Sequence, residues 1–191
     1  MRILKIEDVF KDLPELTTPR LLLRKLRQED AEDMFDYASD PEVAKEVTWD
    51  AHRSPGDSLG FINFNLGKYG RGEVADWGLV LKENGKLIGT MGFVWWKPDH
   101  AKAELGYAMS RKYWGRGLMT EAVKAVMDFG FRFMKLNRLE ARCNDTNPGS
   151  ERVMVKCGMK YEGLLRQAMW EKGAFKNLKL YSVLNSDRQE K

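Results

Sequence analysis

The sequence predicts an α/β (α+β) fold: a mixed, mostly antiparallel sheet with helices on both faces, built as one domain over residues 1–191. Three observations carry that expectation. Residues 75–109 hold three strand-like runs separated by short turns, an antiparallel meander. Helical periodicity dominates the stretch before the meander and the stretch after Gly115-Arg116-Gly117. A strand, a short helix and two last strands then complete the chain.

Each element has its own local reason. Residues 1–16 read as an N-terminal extension ending near Pro14. Thr17-Thr18-Pro19 is a turn, because proline restricts the residue before it, and Leu21-Leu22-Leu23 is the first strand. Asp30 is the expected N-cap of a helix carrying Ala31, Met34, Phe35 and Ala38 at helical spacing. Asp40-Pro41 opens a short helix with proline at its first position. A third helix runs from Pro55 to about Lys68 and ends at Tyr69-Gly70-Arg71-Gly72.

In the meander, Trp77–Leu81 and Leu87–Trp96 flank Glu83-Asn84-Gly85-Lys86, a hairpin turn of the Asn-Gly type. Pro98-Asp99-His100 turns the chain into the strand Ala103–Met109. The next helix spans about Met119 to Met134, with Ala122, Val123, Val126, Met127 and Gly130 on one face. A strand at 138–143, a loop at Asn147-Pro148-Gly149 and a helix at 150–156 follow, with Gly158 as a left-handed cap. Lys160–Trp170 and Phe175–Leu184 are strands around the turn Lys172-Gly173, and Ser186–Lys191 is a polar tail.

Composition narrows the function classes. Hydrophobic residues make up 43% and charged residues 31%, an ordinary balance for a soluble globular chain. No apolar run approaches the roughly 18 residues that a membrane helix needs. The N-terminus is charged too early for a secretory signal, so a cytoplasmic location without membrane partners is expected. Cys143, Cys157, His52 and His100 are too few for a disulfide framework or a metal cluster; no metal is expected, and the cysteines read as reduced, mostly buried thiols. The net charge of +4 suits nucleic acid or a polyanionic cofactor. The basic residues are dispersed rather than clustered, so nucleic acid is not the expected partner.

The chain is organised around Tyr113-Trp114-Gly115-Arg116-Gly117-Leu118-Met119-Thr120. A strand, a glycine-rich turn and a helix start together make an anion site, where unpaired backbone N–H groups and the helix dipole favour negative charge. A nucleotide P-loop is excluded because Gly117-Leu118-Met119 lacks the Lys-Ser/Thr ending. A dinucleotide fingerprint would need glycine at position 120, which is Thr120, and an early parallel strand-helix-strand unit.

Several segments in order resemble the GNAT superfamily of N-acetyltransferases, and within it the ribosomal-protein N-acetyltransferases of the RimJ/RimL type. They are Thr18-Pro19-Arg20-Leu21-Leu22-Leu23-Arg24, Ala103-Glu104-Leu105-Gly106-Tyr107 with the glycine turn, Arg138–Arg142, Asn147-Pro148-Gly149-Ser150, Lys156-Cys157-Gly158-Met159 and Tyr161-Glu162-Gly163. The resemblance covers about residues 17–185. It implies a sheet splayed at its centre, with acetyl-CoA as acyl donor in the gap. The backbone N–H groups of Arg116, Gly117, Leu118, Met119 and Thr120 would hold the pyrophosphate, with Arg116 adding a cation. Tyr107, Ala108 and Met109 would pair with the pantetheine arm, and Asn147 would hydrogen-bond it. Met119 stands where the resemblance leads one to expect a small residue; its side chain must turn into the core.

For the chemistry, the resemblance offers Glu104 and Glu140 as general bases, each with a structural salt bridge as the alternative role. A backbone N–H near Ala108 or Met109 would stabilise the oxyanion. The tyrosine that many members use to protonate the thiolate is replaced by Met154, and Ser150 is the candidate in its place, or else a helix N-cap. Trp95, Trp96, Tyr161 and Trp170 would line or approach the acceptor cleft unless they belong to the core, and Glu162 and Glu171 could attract a cationic amine. The expected activity is acetyl transfer to a primary amine, first a protein or peptide N-terminus, with small amines such as polyamines, amino acids or aminoglycosides next. A non-catalytic acyl-CoA-binding domain is the alternative from another class. A homodimer is expected by the same resemblance.

Overall fold

The structure is a computed structural model that describes residues 4–188. Eight strands form one sheet: β1 (Leu16–Thr17), β2 (Leu21–Arg24), β3 (Asp76–Leu81), β4 (Leu87–Lys97), β5 (Lys102–Met109), β6 (Arg138–Asn144), β7 (Lys160–Glu171) and β8 (Ala174–Leu184). Their order is β1-β2-β3-β4-β5-β6-β8-β7. Every pair is antiparallel except β5–β6, which is parallel. The helices are α1 (Ile6–Phe10), α2 (Ala31–Ala38), α3 (Pro41–Ala44), α4 (Pro55–Arg71), α5 (Leu118–Arg132) and α6 (Pro148–Lys156). The last three residues of the expected polar tail lie outside the described residues.

Strand alternation divides the apolar side chains between two layers. Leu79 and Leu81 of β3 point into the larger core, with Phe10 of α1, most of the apolar face of α5 and Met154 of α6. Val80 points the other way, into a second cluster with Met34 and Tyr37 of α2, Val43 of α3 and Ile62 of α4. Helices thus cover both faces, as the sequence predicts.

Turn chemistry sets the register of the meander and the last hairpin. Gly85 (φ 73°) closes the β3–β4 turn, and Lys172 (φ 48°) and Gly173 (φ 78°) form the β7–β8 turn. α4 runs one turn beyond the expected end, because its cap is Gly72 (φ 66°), whose N–H bonds back to the last turn.

Two expectations are corrected. Residues 1–16 are not a mere extension. They contain α1 and start β1, and Phe10 is fully buried between Trp77, Phe93 and Trp96. Asp30 does not cap α2 with its side chain. Gln28–Asp30 form a 3-10 turn, and the Asp30 carboxylate accepts the Arg27 N–H at 2.8 Å and both Nη groups of buried Arg24. A buried guanidinium leaves the carboxylate no freedom to cap.

Candidate active site

The site begins with a break in the sheet. β5 pairs with β4 along its length, from Lys97↔Lys102 to Gly89↔Met109. Its pairing with β6 runs from Lys102↔Arg138 to Leu105↔Ala141 and stops. Both strands continue, to Met109 and Asn144, without a ladder between them. Backbone groups on one edge of Gly106–Met109 therefore have no strand partner. A bulge between Phe93 and Trp95 bends β4 at the level where β5 departs. Gly106 permits that bend, since a Cβ there would lie 2.8 Å from Val94 Cγ2. The gap opens into a cleft of about 400 Å³ whose walls include Gly106–Met109, Gly117, Met119, Thr120, Asn147 and Ser150.

The glycine turn closes one end of this cleft. Gly115 (φ 74°) and Gly117 (φ 77°) are both left-handed, a conformation that other residues adopt at a cost. Gly117 is the N-cap of α5 and has no side chain to cap it. The first N–H groups of α5, those of Leu118, Met119 and Thr120, have no partner within the helix. This is the local geometry an anionic phosphate requires. Met119 is 5% exposed and packs in the core, so the unexpected side chain leaves the N–H groups clear. Leu118 is fully buried and has only its backbone to offer.

The Thr18-Pro19-Arg20 segment braces this turn. Glu121, in the first turn of α5, accepts the Thr18 hydroxyl at 2.6 Å, the Arg20 N–H at 2.8 Å and Arg20 Nε at 2.7 Å. Arg20 Nη1 donates to the Arg116 carbonyl oxygen at 2.9 Å. The first part of the chain thus fixes the turn's conformation, a role missed by sequence reasoning although the motif itself stood out. The Arg116 side chain lies over the Tyr113 ring and 3.9 Å from Glu83, away from the cleft. The cleft takes its cations from Lys45, Arg142, Arg152 and Lys156 instead.

Across the gap stands a pair of hydroxyls. Asn147 caps α6 by accepting the Ser150 N–H at 2.9 Å, so Ser150 is not the N-cap but the third residue of the helix. Its hydroxyl is 2.8 Å from that of Tyr107 on β5. Burial pushes the Tyr107 phenol above its ordinary pKa, with the Ser150 contact acting the other way. Met154, where the resemblance leads one to expect a tyrosine, is fully buried in the core and offers nothing to the cleft.

The two predicted glutamates lie off the cleft wall. Alternation turns Glu104 and Glu140 to the face opposite Ala103, Leu105, Leu139 and Ala141, and the parallel register sets them side by side. Glu104 is 6% exposed. Its carboxylate accepts Trp95 Nε1 at 2.6 Å, Arg142 Nε at 3.0 Å and Arg142 Nη2. An amine would have to displace Arg142 to reach it. Glu140 accepts Arg138 Nε at 2.8 Å. Glu162, whose carboxyl is held down to about 2 by Arg138 and Ser182, completes that charged row.

The expected aromatic lining is not at the cleft. Trp96 is buried against Phe10, Trp95 serves Glu104, and Tyr161 and Trp170 are exposed on β7. Glu171 is buried beside Lys172. The unanticipated wall is the segment Glu42–Val47, in and after α3, which has no distinctive sequence signature. Both cysteines are free and buried, with burial raising each thiol to about 11. Among the described residues no cluster of His, Cys, Asp or Glu could hold a metal, and no helix is long and apolar enough to cross a membrane.

Comparison with known proteins agrees with this architecture. The acetyltransferase (GNAT) domain profile matches residues 20–160. An uncharacterized N-acetyltransferase p20 of Bacillus licheniformis is 33% identical over 172 residues, which is 90% of this chain and 97% of that protein. The ribosomal-protein-serine acetyltransferase of Escherichia coli is 30% identical over 104 residues, 54% of this chain and 58% of that protein. A GNAT-family acetyltransferase structure from Bacillus anthracis superposes with a TM-score of 0.81 at 29% identity, covering 91% of this chain and 99% of that one. A splayed sheet, a phosphate-ready turn at the gap and these similarities lead to one conclusion: the chain belongs to the GNAT family and is an acetyltransferase.

Proposed function

We propose that the protein is an acetyltransferase of the RimJ/RimL type, transferring the acetyl group of acetyl-CoA to the N-terminal amine of a protein or peptide by direct attack in a ternary complex. The observation that carries the acetyl-CoA part is the coincidence, in one cleft, of an unpaired β5 edge with the free N–H groups at the start of α5. The likeness to a ribosomal-protein-serine acetyltransferase supports a protein acceptor.

Acetyl-CoA, as substrate, supplies an activated thioester. The N–H groups of Leu118, Met119 and Thr120 receive its pyrophosphate, and Gly106–Met109 receive the pantetheine amides as a strand would. The Asn147 Oδ1 is committed to its own helix, which leaves its amide nitrogen for that arm. The Met109 backbone N–H, on the edge of β5 turned away from β4, stabilises the oxyanion. The Ser150 hydroxyl, backed by Tyr107, protonates the departing thiolate. Glu104 positions Arg142 at the cleft wall.

A thiol-release screen tests this, using acetyl-CoA with peptides bearing free N-termini, polyamines and amino acids as acceptors, and succinyl-CoA as the rival donor. Release with acetyl-CoA and N-terminal peptides is the expected result. Preference for polyamines or amino acids would replace the acceptor assignment. Absence of acetyl-CoA binding in calorimetry would remove the whole reading.

A further inference from the structure

Of the residues lining the cleft, two are carboxylates, Glu42 and Glu46, and both lie on the wall after Asp40. That wall is held from behind. Lys172 Nζ, at the β7–β8 turn, donates to the carbonyl oxygens of Ala44 and, at 2.8 Å, of Val47. Val43 and Ala44 are themselves buried. Glu42 is exposed, whereas Glu46 is half-buried. Glu46 receives one hydrogen bond, from Asn144 Nδ2 at 3.4 Å, and among the described residues it has no ion-pair partner within 4.0 Å.

Asn144 holds that carboxylate from behind the cleft wall. It is 7% exposed, at the end of β6 where the strand pairs with β8 but no longer with β5, and its Oδ1 is buried without any donor. The amide cannot profitably flip, because its oxygen would then face the Glu46 carboxylate. Acceptors exceed donors here, and the Glu46 carboxylate, on the cleft wall, is the acceptor that a ligand entering the cleft reaches. An alkylammonium ion offers three donors and no acceptor. The carboxylates nearer the sheet are not rivals for it, since Glu104 is closed off by Arg142 and Trp95, Glu140 is taken by Arg138, and Glu171 is buried off the cleft wall, 3.7 Å from Lys172.

We infer that Glu46, oriented by Asn144, receives the acceptor as an ammonium ion and takes the proton that must leave before its nitrogen can attack. This rests on the acetyl-transfer reading and names its acceptor chemistry: an aliphatic primary amine, charged at neutral pH, such as a peptide N-terminus or a diamine, rather than a hydroxyl or a neutral arylamine. The balance is complete. Two protons leave nitrogen as the C–N bond forms and the C–S bond breaks. One passes to Glu46 and on to water; the other restores, through water, the proton that the Tyr107–Ser150 pair gives to the CoA thiolate. The products are the N-acetyl amide, CoA thiol and one proton.

The test uses the full chain loaded with CoA, which binds without reacting, and titrates it calorimetrically with 1,4-diaminobutane and with a seryl tetrapeptide. Glu46→Gln keeps the shape of the side chain and removes its charge. The expected result is amine affinity at least about tenfold weaker in Glu46→Gln with CoA affinity unchanged, and kcat with acetyl-CoA lower by about tenfold or more. Equal amine affinity in the two proteins overturns the assignment, as does failure of both amines to bind the unaltered protein. Binding that depends on Glu46 without any thiol release would uphold the ammonium site and overturn the acetyl-transfer reading instead.

Discussion

The Tyr107 hydroxyl on β5 and the Ser150 hydroxyl on α6 lie 2.8 Å apart across the point where β5 and β6 separate. Burial keeps the phenol protonated through the neutral range, so it can stand behind Ser150 as a proton source. Ser150→Ala is expected to lower kcat about 10²-fold, and Tyr107→Phe about tenfold, with the KM for acetyl-CoA little changed. The double variant should be no slower than Ser150→Ala alone, because the pair acts as one unit. Multiplying effects in steady-state kinetics would mean that the two hydroxyls act separately.

Arg20 and Glu121 tie the start of the chain to the glycine turn before α5. Glu121→Ala removes three hydrogen bonds at once, one of them an ion pair with a part-exposed arginine. Loss of about 1–2 kcal/mol of turn order is expected, read as a five- to thirtyfold weaker acetyl-CoA affinity. The measurement is calorimetric titration, with kcat at saturating acetyl-CoA staying near that of the unaltered protein.

Glu104→Gln separates a base from a positioning residue. Glu104 holds Arg142 through two hydrogen bonds and faces away from the larger core. A fall in kcat of only a few-fold, with the shape of the pH–rate profile kept, is the expected outcome. A drop beyond about 10²-fold together with loss of the acidic limb would make Glu104 the base.

Phe10 supports the sheet from the N-terminal segment. It is fully buried and meets three aromatic rings, with centroids 6.3 to 6.4 Å away. Phe10→Ala should cost about 3–5 kcal/mol through lost burial and the cavity left behind. Urea unfolding monitored by tryptophan fluorescence would register it as a lower midpoint with an unchanged slope.

Much of this protein is decided locally, and that part is legible in the amino-acid order. Asn84-Gly85 and Lys172-Gly173 set hairpins, Asn147-Pro148 starts α6, Gly158 (φ 82°) follows it, and Gly115 and Gly117 shape the turn before α5. Each depends on the φ a residue can adopt or the cap it can offer, within four or five positions of chain. The N-terminal helix escaped because five residues are too few to show a period, and what buries Phe10 is a set of rings from distant strands.

The chemistry of the site was decided by contacts that no local pattern encodes. Whether a glutamate is free or closed depends on what meets it across strands: Arg142 and Trp95 occupy Glu104, while Glu46 has Asn144, 98 positions away. Ser150 faces a hydroxyl 43 positions distant because β5 and α6 border the same gap. Sequence by itself determined most of the elements, their order and the glycine turn before α5, through short-range backbone preferences. The tertiary structure decided which polar side chains face the opening of the sheet, because that outcome follows from the packing of residues far apart in the chain.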